Sequence, residues 1–466
     1  MKTRWMIGLG LTTAMLSAVA AADTGKLLSD AQNKVGALAR FYCTMQDEQG
    51  SRTVEGQAVC ITADPAVLVT VGLDVRIPPD SLSDFILVPA NAPAKQIKAQ
   101  LLGVDPETNI GFIRATEPHN WTVVQFAPKA NLAIGQEVVS VGLMGRETDF
   151  QAYLGTGYIS AMLHTPEETA YVTGGKLTAP GSPVFAADGR AIGLVGVQRF
   201  TNFQTIMNGR VTGIPLRGLD EAAFFMPVDE FAHVIVNIPS SPAQVRRLPW
   251  IGVLGFSGVS KEVSDIMKLD SPGVMVEGVV AGGPAAKAGL TDRDVVLAIN
   301  GEKFPVTANP DITAAALQRK LFRMTAGTKV TLSLRRGDAT KDYSVTLEAI
   351  PQLPHEAKRY LSRTLGFLAR EKVDLDRLTD KGPTATVPGL IVLGADGPAG
   401  NAGLREGDLI TTVNAVAVTT TAGLKDAVEK ATSANTPVAL VVRRGDQTQT
   451  ITISPAATQP AEMPGR

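Results

Sequence analysis

Few residues in this chain could do chemistry, and most of them are poorly spaced for it. Cys43 and Cys60 are the only thiols and His119, His164, His233 and His355 the only imidazoles in 466 residues. Metal sites draw their ligands from short, recurring spacings. These six residues have none, so neither a metal nor a cofactor is expected. Cys43 and Cys60 flank the polar turn Gln46–Ser51. In an oxidising compartment they would close a short loop with a disulfide contributing ~3 kcal/mol; the alternative is two buried thiols. Nucleophilic catalysis needs a hydroxyl or thiol beside a base that an acid orients. The turn Thr178-Ala179-Pro180-Gly181-Ser182-Pro183-Val184-Phe185 carries two hydroxyls, those of Thr178 and Ser182. His164 follows a strand-like segment and His233 sits on a helical one, and neither has an acid at triad spacing. His119 and His355 fall in connecting segments.

The elements around that turn are short runs of β-type sequence broken by Gly, Pro and Asp, such as Val67–Thr70, Ile110–Ile113, Glu137–Val141 and Ala191–Val195. Many short strands at this spacing predict an all-β barrel or sandwich between about residues 35 and 236. Val228–Val236 reads as a closing helix and 237–248 as a linker. Beyond it the sequence repeats. Gly283-Pro284-Ala285-Ala286-Lys287-Ala288-Gly289-Leu290, with Asp294 and Asn300, recurs as Gly397-Pro398-Ala399-Gly400-Asn401-Ala402-Gly403-Leu404, with Asp408 and Asn414, each position 114 residues on. The same offset carries Ile251-Gly252-Val253 onto Leu365-Gly366-Phe367. Two equal modules are implied, over 249–350 and 363–453, joined by a linker at 351–362.

Length and charge bound the rest. At 466 residues about three domains are expected. With 44 basic against 45 acidic residues the net charge is −1, and no field favours nucleic acid or an anionic membrane. Lys2 and Arg4, an apolar run from Trp5 to Val19 and the small residues to Ala22 form a secretory signal over 1–22, so the chain is expected to be exported, periplasmic or extracellular. After cleavage no segment is apolar and long enough to span a bilayer. Residues 454–466 read as a disordered tail.

The repeated Pro-Ala-x-x-Ala-Gly-Leu run followed by Asp and Asn resembles the PDZ domain, in the order of the bacterial protease-associated type. The second copy departs from it with Ala415 where glycine follows the asparagine. The resemblance implies α+β modules that bind peptide ends by β-augmentation, with Trp250, Ile251, Gly252 and Val253 in one carboxylate loop and Leu365, Gly366 and Phe367 in the other. The strand after each loop is expected to offer an open edge.

With two such modules behind it, the first domain resembles the protease domain of HtrA/Do-like serine proteases, which implies a trypsin-like double barrel. The turn at 178–185 resembles the nucleophile loop Gly-Asp-Ser-Gly-Ser-Pro-Val-Phe, with Pro180 where the nucleophilic serine belongs. Val67–Thr70 resembles the strand leading to the catalytic histidine, whose place is taken by Leu73, and Asp105–Ile110 the segment of the catalytic aspartate, whose place is taken by Asn109. Proline removes the hydroxyl and also an amide of the oxyanion hole. Ser182 remains as a fallback nucleophile. The resemblance therefore implies an exported pseudoprotease that binds peptide or protein C-termini or unfolded chains as scaffold, chaperone or regulator, and admits a homotrimer or higher oligomer built on the barrel domain. The alternative is a diverged serine endopeptidase of the same type.

Overall fold

A computed structural model describes residues 25–47, 50–164, 167–196, 223–307, 309–380 and 382–454. The signal at 1–22 and residues 455–466 of the tail lie outside the described residues. Six antiparallel strands, β1 (Leu38–Asp47), β2 (Gly50–Ala63), β3 (Ala66–Thr70), β4 (Leu82–Pro89), β5 (Ile97–Val104) and β6 (Gly111–Ala115), close a first barrel in the order β1-β2-β3-β6-β5-β4. A second barrel, β10-β11-β12-β9-β8-β7, is made by β7 (Glu137–Leu143), β8 (Ala152–His164), β9 (Glu168–Lys176), β10 (Pro183–Ala186), β11 (Ala191–Val195) and β12 (Phe224–Pro227). The expected double barrel is observed. Alternation builds it: on β1, Ala39, Phe41, Cys43 and Met45 are buried while Arg40, Tyr42 and Thr44 between them are not. One continuous apolar core runs through both barrels.

Two expectations are corrected here. Cys43 and Cys60 are both buried and free. Cys43 pairs across the β1–β2 hairpin with Val54, six positions from Cys60, and at about 3.3 Å per residue that separates the two sulfurs far beyond bonding range. Burial pushes their thiols up to about 11 and about 12. The closing helix is broken into a 3-10 turn at Val228–Glu230 and one α turn, α1 (Ala232–Ile235), because Phe231 and Val228 anchor into the barrel core.

The modules that follow are sheets with flanking helices. In the first, β13 (Pro249–Trp250) pairs with β20 (Glu348–Ala349), and the main sheet runs β14 (Val253–Gly258), β15 (Val274–Val279), β16 (Val295–Ile299), β18 (Lys329–Arg336), β19 (Ala339–Thr346), with β17 (Glu302–Lys303) beside β16. Helix α2 (Pro284–Lys287) starts at the repeated proline, and α3 (Pro310–Phe322) is capped by Asn309, whose side chain accepts from Asp311 N–H at 3.0 Å. In the second, the order is β21 (Arg359–Ser362), β22 (Phe367–Glu371), β23 (Leu390–Ala395), β24 (Leu409–Val413), β26 (Val438–Arg444), β27 (Gln447–Ile453), with β25 (Val416–Ala417) beside β24, α4 (Gly397–Asn401) and α5 (Thr421–Ser433). Residues 359–362, read from sequence as linker, are thus an edge strand of the second sheet.

Candidate functional site

The two barrels bring the three sequence-marked positions to one place. A β-carbon on Gly181 would lie 3.5 Å from Val71 Cγ2, so the Pro180 turn rests against the segment that carries Leu73. Asn109 is tied to the same segment: its Nδ2 donates to the Leu73 carbonyl at 2.9 Å and its Oδ1 accepts from Val75 N–H at 2.8 Å. Asn109 holds a left-handed backbone, φ 58°, which asparagine tolerates better than most residues. Leu73 is 1% exposed and packs against Gly111 and the first barrel's core. A buried leucine and an amide whose two ends are spent on backbone groups make a structural staple.

The turn at 178–183 is bonded to the protein as closely. The two amides of a trypsin-type oxyanion hole belong to the nucleophile position and to the residue two before it. Pro180 has no N–H. The N–H of Thr178 donates to Ser140 Oγ at 2.8 Å. Gly181 donates its own N–H to the Val195 carbonyl at 2.9 Å. Ser182 is fully buried, and its Oγ accepts from Gln57 Nε2 at 2.8 Å, while Gln57 Oε1 accepts from Leu143 N–H at 2.8 Å. Gln57 therefore clamps β2 of one barrel to β7 and the β10 turn of the other.

The histidines are engaged elsewhere. His119 Nε2 meets Asn91 Oδ1 at 2.8 Å, His164 pairs with Glu168 at 3.4 Å, and His233 Nε2 meets Glu107 Oε2 at 3.1 Å. His355 lines a cavity of about 330 Å³ between the first barrel and residues 242–248.

His233 belongs to a charge cluster that sequence reading missed. Glu107, next but one to Asn109, also takes Arg246 and Arg323, while Glu230 takes Arg319 and Arg323, and Arg246 reaches Asp105 at 2.9 Å and the Phe322 carbonyl at 3.0 Å. The cluster bolts α3 of the first module to the barrel. Burial alone would raise Glu107, but the hydrogen bond from His233 and the charges of Arg246 and Arg323 hold it at about 2. Glu167, 4% exposed beside the same arginines, is pushed up to about 7 by burial. These partners lie from 76 positions apart, Arg246 and Phe322, to 216, Glu107 and Arg323, so no local motif could reveal them.

In the modules, the repeated glycines make matching loops. Ala285 N–H donates to the Ile251 carbonyl and Ala399 N–H to the Leu365 carbonyl, both at 2.8 Å. Gly252 and Gly366 have φ 91° and 77°, and a β-carbon would strike Pro284 at 2.7 Å in one and the Asp396 carbonyl at 2.4 Å in the other. The side chains of Trp250, Ile251, Val253, Leu365 and Phe367 are all buried, and Trp250 Nε1 donates to the Val253 carbonyl. These side chains therefore belong to the cores of their modules. Asp294 and Asp408, 1% exposed, receive forked bonds from Arg336 at 2.6 Å and Arg444 at 2.7 Å, which ties the start of β16 to the end of β18 and the start of β24 to the end of β26.

Comparison with known proteins agrees with this layout. A trypsin-like peptidase domain model matches residues 61–194 and a PDZ domain model matches 252–347 and 378–454. The chain joins a trypsin-like domain to two PDZ domains. Its homologues are DegP-like. It is 27% identical over 386 residues to a probable periplasmic serine endoprotease DegP-like of Pseudomonas fluorescens, covering 79% of this chain and 74% of that one. It is 25% identical over 385 residues to the protein of the same description in Bartonella henselae, covering 77% and 67%. The fold resembles that of the HtrA-type protease AlgW solved with a decapeptide, at TM-score 0.51 and 19% identity over 70% of this chain and 99% of that one. The same protease with a tripeptide matches at TM-score 0.51 and 20% identity, over 70% and 97%.

Proposed function

We propose that this protein is an exported, periplasmic pseudoprotease that binds peptides or unfolded chains through its PDZ domains. The observation that carries this reading is the state of the hydrolytic centre as a whole. Leu73 stands for the base, Asn109 for the acid and Pro180 for the nucleophile, and the amide of Thr178 is already spent on Ser140. Losing triad members leaves only ~10³ to 10⁴ over water, and each missing oxyanion donor removes a further ~10² to 10³. Ser182 is a poor substitute, being buried and held by Gln57. In its place the chain offers two modules whose glycine loops present backbone to an extended ligand. The domain limits, residues 35–236, 249–350 and, with β21 included, 359–453, and a homotrimer or higher oligomer built on the barrels belong to the same proposal.

An active serine endopeptidase is the second reading, favoured by the name that the curated relatives carry. Incubation of purified protein with casein, alongside Ser182→Ala, separates the two. Pseudoprotease predicts no cleavage by either; cleavage that Ser182→Ala abolishes would establish the endopeptidase.

A further inference from the structure

The two PDZ domains share a loop but treat the chain before it differently. In the first, Pro249–Trp250 runs to Glu348–Ala349, the Leu248 carbonyl accepts from Ile350 N–H at 2.9 Å, and β14 is left at the edge of its sheet. In the second, the four residues that match 245–248 at the 114-residue offset fold back onto the peptide-accepting strand itself. Arg359 pairs with Arg370, Tyr360 with Ala369, Leu361 with Leu368 and Ser362 with Phe367, antiparallel, so β22 has β21 on one side and β23 on the other. The edge that sequence alone left open is taken.

β21 copies a ligand in detail. The N–H of Gly366, in the carboxylate loop, donates to the Ser362 carbonyl at 2.7 Å. Ser362 is 4% exposed. Two residues upstream, on the same face, Tyr360 packs on the domain core with its ring edge-on to Phe367 at 6.2 Å, while Leu361 points away. An added peptide would be antiparallel to β22, with its terminal carboxylate on the loop amides and alternate side chains in the groove.

We infer that residues Arg359–Ser362 are a built-in competitor that closes the second PDZ groove, and that its external ligands are C-terminal peptides ending in a small residue with an aromatic residue two positions before it. The inference rests on the peptide-binding reading given above. The segment is tethered to its groove, which gives it an effective concentration on the order of millimolar. A peptide therefore meets a domain whose open form is a minor fraction, and its apparent affinity falls by that fraction. Release of β21 opens the site.

The chain supplies its own probe: a fluorescent peptide of sequence Ala-Lys-Arg-Tyr-Leu-Ser with a free carboxylate, titrated into the full-length protein. A control peptide carries aspartate in place of tyrosine. Tyr360→Ala loosens β21 and should bind the probe at least tenfold more tightly than wild type. The pair Leu361→Cys and Leu368→Cys, directly opposite each other, should bind nothing when oxidised and regain binding on reduction. The control peptide should fail throughout. Amide exchange of Phe367–Glu371 should be slow in wild type and fast in Tyr360→Ala. Equal, tight binding to wild type, Tyr360→Ala and the oxidised pair would overturn the gate and leave peptide binding standing. Absence of binding in every form, with the exchange difference present, would overturn peptide binding by this groove, and the gate with it. Equal binding of the control would overturn the ligand class.

Discussion

Restoring the serine alone should not restore proteolysis. Pro180 is exposed, so Pro180→Ser is tolerated by the fold and returns both a hydroxyl and an amide. The hydroxyl still lacks a base, since the position that resembles the histidine's is Leu73, buried in the core, and a serine without its histidine costs ~10⁶ in kcat. Pro180→Ser should therefore stay at background in a fluorogenic casein assay. The triple variant Leu73→His, Asn109→Asp, Pro180→Ser rebuilds the triad, but Thr178 N–H remains on Ser140 Oγ at 2.8 Å, so one of the two oxyanion donors is still missing. One donor is worth ~10² to 10³ in kcat. Adding Ser140→Ala to the triple variant frees that amide and should raise kcat by about that factor, with a pH profile that follows the restored imidazole. Casein cleavage by Pro180→Ser alone would show that the nucleophile position lies elsewhere, and no gain from Ser140→Ala would show that Thr178 is not part of the hole.

Two further outcomes follow from the side chains around that centre and its modules. Glu167 is held at about 7 against an ordinary 4.5, so its protonated form stabilises the fold fully below 4.5, and that contribution, up to ~3 kcal/mol, is lost as pH rises through 7; urea unfolding at pH 6 and 8.5 should show wild type weakening and Glu167→Gln much less so, and parallel slopes would refute the assignment. Ala415 sits at φ 66° where its counterpart Gly301 has φ 79°; a left-handed alanine costs ~1–2 kcal/mol and glycine's unfolded-state entropy returns ~0.4–1, so Ala415→Gly should stabilise the second PDZ domain by about 0.5–1 kcal/mol in its urea midpoint, and a destabilised variant would show that the turn relaxes.

The sequence by itself determined what depends on local order. Alternation along segments such as Ala39–Met45 makes strands with one buried face, and the 114-residue repeat, with Asp294 and Asp408 at matched places, makes two copies of one module. The departures of Leu73, Asn109 and Pro180 from the protease pattern that the sequence resembles were legible because each sits inside a short motif. Tertiary structure decided everything that depends on partners remote in the chain. Gln57 holding Ser182 across 125 residues and Ser140 taking the Thr178 amide across 38 exist only once the barrels close. The same holds for the arginines that bind Glu107 and Glu230. Strand pairing in particular has no local signature: the backbone groups on the edge of β22 can be satisfied by any extended chain within reach. Residues 359–362, which read as linker, reach it first. The same repeat thus leaves one PDZ strand at the edge of its sheet, against α3, and pairs the other on both sides.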